Sequence, residues 1–596
     1  MKKKTFMKKM IPATAIALAL TFGTIGIVGC GDSNTKPAEA AGPGQGEPPG
    51  APPDGGNGAP PDGGNGGPGG QATAEWSAAN TISDSETYTN TTYTSSTSGE
   101  NALMITGSSA SPTLTGTKVT KTGDGVNGDG ASFYGTNSAI IAKDGATATI
   151  KNATITTDSE GANGVFSYGG NGGQNGAAGD GTTVNISDST ITTTKGGSGG
   201  IMTTGGGITN ATNLTVTTSG QSSAAIRTDR GGGTVNVDSG TYTTNGLGSP
   251  AIYSTAAVSV KNASLVSNKS EGVCIEGTNS VSLENCTLTA NNTDKNGNAQ
   301  YLDSVMIYQS MSGDASGTDS SFSMTGGTLN SKSGHVFHVT NTSAEINLKG
   351  VTINNTDSDG VLLSVANDGW SGAANKATLN ATAQKLEGRI IVSNTASSAS
   401  SSESTLNLNV DKDSVFAGTI SDENNSGSAL GTVNVTLNGG WKLTADAYVS
   451  SISGTGTIDY NGHTLYVNGT AYTSGTPGGS IKNATVDENT NASSDSADSE
   501  VSVAKVKSVK VTRNKNNKKI TVKYASVSTA DGYQIAYSTS KKFTSKTTKK
   551  AKSTKTKKVI SSLKKNKTYY VKVRAYKLVD GKKVYGSWST IKKVKK

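Results

Sequence analysis

Arginine, histidine and cysteine are scarce through most of this chain, so the few that occur mark where chemistry can sit. Residues 1–500 hold only Arg227, Arg230 and Arg389, and two of these flank Asp229 in Ile226-Arg227-Thr228-Asp229-Arg230. Guanidinium and carboxylate groups this close either act on a charged substrate or form a local ion pair at a turn. Asp294-Lys-Asn296-Gly-Asn298, followed by Asp303, sets oxygen side chains at alternate positions as a calcium loop does. The glycine and terminal bidentate acid of such a loop are missing, and an ordinary Asn/Asp turn is the other reading. Asp124-Gly-Val-Asn127-Gly-Asp129 is a similar partial match. Calcium is the one cofactor these residues suggest. His335 and His338, three apart in one apolar strand, are predicted to point to opposite faces, and the third histidine is His463, so a shared zinc is not expected. Cys274 and Cys286 fall in slots filled elsewhere by apolar or small residues and read as buried core thiols.

The elements that position these residues follow from a repeated phrase, an apolar residue followed five positions later by another, as in Val237-Asp-Ser-Gly-Thr-Tyr242. Ile150 with Ile155, Ile186 with Ile191, Val260 with Leu265, Leu283 with Leu288, Met324 with Leu329, Leu348 with Ile353 and Tyr460 with Leu465 fit the same phrase. Val237, Val260 and Leu283 follow one another at 23 residues. Elsewhere the interval stretches, as if loops were inserted into a constant unit. A second phrase pairs two apolar residues, as in Ala139-Ile140, Val165-Phe166, Ala225-Ile226, Val273-Cys274 and Val336-Phe337. The residues between are Gly, Asn, Asp, Ser and Thr, which supply turns and resist helix. A unit of 23 residues carrying two or more strands is too short for a crossover helix, and predicts an all-β chain built as a parallel β-helix.

From Trp76 to Gly475 these phrases resemble the right-handed parallel β-helix of pectate lyases, polygalacturonases and many surface adhesins. The resemblance implies sites on strand faces, where lyases of this architecture use a basic residue to remove a proton beside a uronate carboxylate. Arg227 or Arg230, with Asp229, is the candidate; if Ile226 points inward, Arg227 points outward beside Tyr253. Hydrolysis needs two carboxylates ~5–9.5 Å apart. The positions matching Asp229 on other coils are expected to be Gly205, Thr255 and Gly277, which disfavours a hydrolase. Insertions at 169–181, 312–320, 367–376 and 394–404 all follow the second strand of their coils, and loops on one side commonly form a binding face. Tyr168, Tyr308 and Trp370 lie at or in these insertions, where aromatic rings either stack on sugars or staple the loops.

Composition agrees with a thin, repeated core, since 77 glycines accompany 8 phenylalanines in 596 residues. The net charge of +9 hides a split: residues 501–596 hold 29 lysines and arginines against 2 acids, a balance of +27 that leaves −18 upstream. At the other end, a basic stretch and an apolar run through Gly29 precede Cys30. Ile27-Val28-Gly29-Cys30 resembles the lipobox of bacterial lipoproteins, which implies cleavage after residue 29 and acylation of Cys30. Residues 30–75 carry a twice-repeated Ala-Pro-Pro-Asp-Gly-Gly-Asn-Gly and read as a disordered spacer. A polar linker, 476–503, precedes a module at 504–596 whose run Leu563-Lys-Lys-Asn-Lys-Thr-Tyr569-Tyr-Val-Lys-Val-Arg-Ala575 resembles the tyrosine corner of fibronectin type III domains. The expectation is a monomeric, lipid-anchored protein on the extracellular face of the bacterial cytoplasmic membrane. It is expected to bind polysaccharide, cell-wall polymer or a host surface glycan without catalysis, and not nucleic acid. A uronate lyase and a structural stalk are the alternatives.

Overall fold

The computed structural model describes residues 74–126, 128–171, 178–295, 299–310, 315–368, 370, 373–394, 403–472, 480–486, 505–514, 518–527, 530–544, 547–561, 563–579, 582–586 and 588–594. Cys30, the leader, the spacer through residue 73, Asn296 and Asn298 lie outside the described residues. Among the described residues, no helix is long and apolar enough to cross a membrane.

The repeated phrase has a stereochemical cause. Asn152, Asp188, Asn213, Asn262 and Asn285 all take positive φ, between 51° and 55°, and each stands two residues after the first apolar residue of its phrase. On a flat strand, residues five apart face opposite ways. One left-handed residue between them turns the chain through a corner, so both face the same side. Asn and Asp tolerate that conformation at low cost. Ile150 with Ile155, Val260 with Leu265 and Leu283 with Leu288 are accordingly at most 1% exposed and share one continuous core.

Coils contribute one strand to a parallel sheet of sixteen strands and, over residues 87–355, a cornered pair to a second parallel sheet of twenty-one, to which the later coils add a single strand each. Coils stack in register: Thr183–Ser187 pairs residue for residue with Thr147–Lys151 on one side and with Ile208 to Thr212 on the other. This is a parallel β-helix. Hydroxyls and amides, stacked like the strands, satisfy its turns. Thr193, Thr218 and Thr244 donate to the carbonyls of Ser198, Ser223 and Ser249, each at 2.5 Å. The Ser198 and Ser223 amides donate to the next seryl oxygen at 2.9 Å. Asn236 donates to Asn210, and Asn210 to Asn185, along the outer face. The first sheet continues to Lys482–Asn483, paired with Thr457–Ile458, and Ile481 joins the core. Regular structure therefore runs past the Gly475 boundary expected from sequence.

The C-terminal module is a sandwich. Lys510–Arg513, Ile520–Lys523 and Lys557–Ile560 form one antiparallel sheet. The other carries Thr548–Ser553, Gly532–Ser538, Tyr569–Val579, Lys582–Tyr585 and Lys592–Val594. Tyr569 Oη accepts the Lys564 amide at 3.1 Å, which is the tyrosine-corner bond. Tyr524 occupies the core against Tyr533, their ring centroids 4.9 Å apart.

The corner makes a graded test. Asn262→Val places a β-branched residue at φ 55° and is expected to cost about 1–2 kcal/mol, read as a lower urea midpoint. Asn262→Gly should stay within about 0.5 kcal/mol.

Candidate functional site

The strands of the sixteen-stranded sheet begin with a second kind of corner. Ala225 and Ile226, Ala251 and Ile252, and Val336 and Phe337 are consecutive, fully buried, and all in the main core. The next residue then faces away from it. Register aligns these outward residues from coil to coil as Ile141, Phe166, Met202, Arg227, Tyr253, Cys274, Met306 and His338. The apolar pair read from sequence thus merges two registers, because corner, core and outer positions are all apolar in many coils.

The outward row is covered. The helix Gly128–Tyr134 lays Phe133 and Tyr134 over Ile141, Phe166 and Met202. Trp76 donates to the Tyr134 carbonyl at 2.7 Å and packs on Tyr168 at 5.5 Å. Farther along, Ala299 and Trp370 close over Tyr253, Cys274, Met306 and Tyr308. Tyr168, Tyr308 and Trp370 are therefore 7%, 0% and 1% exposed, which corrects the expectation of open sugar-stacking rings. They staple loops to the sheet. Cys274 and Cys286 are buried free thiols, and burial pushes the Cys274 thiol well above its ordinary range.

Arg227 points away from the core beside Tyr253, as expected, yet it is 1% exposed and Asp229 0%. Its Nη2 meets Asp229 Oδ2 at 3.3 Å, and its Nη1 reaches the Gly197 and Ser222 carbonyls at 3.4 Å. The Arg230 guanidinium stacks over Phe133 at 3.8 Å. Arg227 is thus held inside the covered face, while Arg230 is half-buried against Phe133. Carrying the register on one residue puts Glu276, not Gly277, beside Thr255 in the Asp229 row. A second carboxylate is thus present, but Glu276 is buried and bonded by Tyr253 at 2.6 Å and by Tyr308 at 3.2 Å.

The histidines overturn a second expectation. Because Val336 and Phe337 both enter the core, the alternation slips by one, and His335 and His338 emerge on the same side. Their Nδ1 atoms each lie 3.0 Å from Asp303, one at each carboxylate oxygen. Asp368 Oδ2 is 3.8 Å from His338 Nδ1, and the Tyr301 ring covers both imidazoles. Burial opposes charge on His338, but Asp303 and Asp368 outweigh it and raise the imidazole to about 9. Burial likewise opposes charge on Asp303, but the two histidines hold it well below its usual range. Burial first, and Asp303 after it, push Asp368 up to about 7. Asp303 has both oxygens engaged here while Asp294 is exposed, so the two do not read as one calcium loop.

Open surfaces among the described residues include a sheet face and a sandwich face. A polar groove of about 600 Å³ on the twenty-one-stranded sheet is lined by Asp319, Ser321, Glu345, Lys376, Thr378 and Asn407. On the sandwich, Tyr533, Ile535, Val571 and Val573 face its core, so Gln534, Lys572 and Arg574 face outward by alternation. Arg574 lies over Tyr585 at 3.8 Å and Trp588 at 4.5 Å, and Lys572 over Phe543 at 4.5 Å and Trp588 at 4.7 Å. Arg574 also donates twice to Gln534 Oε1, at 3.1 and 2.9 Å. Partial burial and then neighbouring cations lower the Lys572 pKa.

No family model and no curated protein matches this chain. Among solved structures, the crystal structure of chicken CNTN1 FN1-FN3 domains aligns at 20% identity over 16% of this chain and 30% of that one, with a TM-score of 0.14. A likeness so slight carries no argument.

Breaking the buried pair with Asp229→Ala should destabilise by about 3–5 kcal/mol, whereas Arg227→Met with Asp229→Leu should recover most of the loss, as read by denaturant unfolding. Burial raises Glu271 from 4.5 to about 7, against hydrogen bonds from Ser270 and Asn292 that lower it. Its folded-state value lies above its unfolded value, so the stability it contributes is full below about pH 4.5 and is lost as pH rises through about 7. Glu271→Gln should flatten that part of the melting-temperature profile.

Proposed function

We propose that this chain is a noncatalytic surface protein that binds acidic polysaccharide, with the C-terminal sandwich as its principal contact. The observation that carries this reading is the cation–aromatic face of Lys572, Arg574, Phe543, Tyr585 and Trp588. Rings held between cations on a rigid sheet suit a sugar ring that bears a carboxylate or sulfate, since apolar contact and charge are supplied side by side. The surrounding field is strongly positive, with 29 basic residues against 2 acids over 501–596. The exposed hydroxyl and amide rows of the twenty-one-stranded sheet add shallow polar contacts of the kind a long polymer uses. Acylated Cys30 and the spacer would hold the module at the extracellular face of a bacterial membrane.

Burial of Arg227 against Asp229 weighs against the lyase alternative, which leaves it half-buried Arg230 over Phe133. For the chain from Gln71 onward, retention on a uronate polymer should weaken at least about tenfold between low and high salt. Lys572→Gln with Arg574→Gln should weaken low-salt retention by a similar factor, without release of unsaturated sugar from any arm. Salt-independent retention, or an unsaturated product, would contradict the proposal.

A further inference from the structure

Asp303, His335, His338 and Asp368 converge from three places in the chain, and all are buried. Asp303 opens the strand Asp303–Tyr308, the histidines belong to His335–Thr340, and Asp368 follows Val361–Val365. His335 Nδ1 and His338 Nδ1 each stand 3.0 Å from an Asp303 oxygen, and His338 Nδ1 is 3.8 Å from Asp368 Oδ2. A tetrahedral ion with arms of about 2.0–2.1 Å has ligand–ligand edges of roughly 3.3 Å. These separations fall on either side of that edge; Asp303, His335 and His338 each offer a ligand atom within 4.8 Å of the other two, and Asp368 approaches this trio through His338.

Two further features point to a cation. Asp368 Oδ2 is fully buried and accepts no hydrogen bond, while its other oxygen takes the Gln300 amide at 2.5 Å. A buried carboxyl oxygen left so is costly unless a positive group or its own proton meets it. His338 Nε2 lies 3.3 Å from the Ala366 carbonyl. When Nε2 carries the proton for that bond, Nδ1 presents a lone pair to the carboxylates, an arrangement that a metal between them resolves. The donor set is two imidazoles and two carboxylates, which suits a first-row divalent ion over calcium or magnesium.

We propose that these four residues bind one divalent transition metal, zinc by ligand chemistry, in a closed structural site. The ion would tie the backbone at Gln300 and Asp368 to the sixteen-stranded sheet, under the Tyr301 ring. It would thereby hold down part of the cover over the outward row.

The test uses the full chain, stripped with chelator and titrated with zinc chloride, then with cobalt chloride. The expected result is about one zinc per chain by elemental analysis and a raised melting temperature. Cobalt should give the visible bands of a four-coordinate nitrogen and oxygen site. Asp368→Asn, with an unchanged circular dichroism spectrum, should bind zinc at least about tenfold more weakly, and His335→Gln with His338→Gln should abolish binding. His463→Gln should leave it intact. Failure of the wild-type chain to retain zinc, thiolate-to-cobalt charge transfer, or undiminished binding by the double histidine variant would each overturn the proposal. The first of these outcomes would mean that a proton, not a metal, joins His338 to the carboxylates.

Discussion

Two residues of odd separation must face the same way at each corner of a coil, and this constraint organises the β-helix. A β-strand alternates strictly, so a coil that only alternated would expose half of its apolar residues. Left-handed Asn or Asp at positions such as Asn213 and Asn262 resets the alternation in the twenty-one-stranded sheet. Paired inward residues such as Ala251 and Ile252 reset it at the start of each strand in the other sheet. Because coils stack in register, each reset must recur at the same place, and the sequence period is the result.

The resets divide the fold into two apolar layers. The main core fills the inside of the coils. A second layer lies on the outer face of the sixteen-stranded sheet, where Phe166, Tyr253, Met306 and their neighbours are closed over by a short helix and loops. Sheets of parallel strands are usually covered on both sides, and each large side chain buried there contributes about 1.5–3 kcal/mol. The charges caught in this layer are paired or bonded: Arg227 with Asp229, Glu276 with two tyrosines, Asp303 with two histidines. Other surfaces among the described residues are covered on one side only. Among them are the Ser, Thr and Asn rows of the larger sheet and the outer face of the sandwich.

Legibility in the sequence followed the same physics. The phrase Val237 to Tyr242 revealed the coil because its corner sits at a fixed offset, and Tyr569 revealed the sandwich because its bond to Lys564 is local. The joint position of His335 and His338 was hidden, since it depends on Val336 and Phe337 both turning inward, which pattern alone does not show. Glu276 was displaced by one residue for the same reason. The burial of Tyr168, Tyr308 and Trp370 required knowing that the helix at Gly128–Tyr134 and the residues near Ala299 fold back over the sheet. Thr548–Ser553 is hard to read from sequence because Lys549, Lys550 and Lys552 suit an edge strand, where charge protects unpaired backbone, yet resemble a polar loop.

The account stands or falls on the covered outer layer, and Cys274 reports on it directly. It belongs to the outward row, is fully buried beneath that cover, and pairs with no disulfide partner. In a Cys30→Ser, Cys286→Ser variant it is the sole thiol, and its reaction with an aromatic disulfide reagent can be timed in native buffer and in denaturant. The account predicts prompt, stoichiometric labelling in denaturant and almost none in the native protein over the same interval. Full labelling of the native protein at the denatured rate would mean the outer face of that sheet is open, and the division into two layers would be wrong.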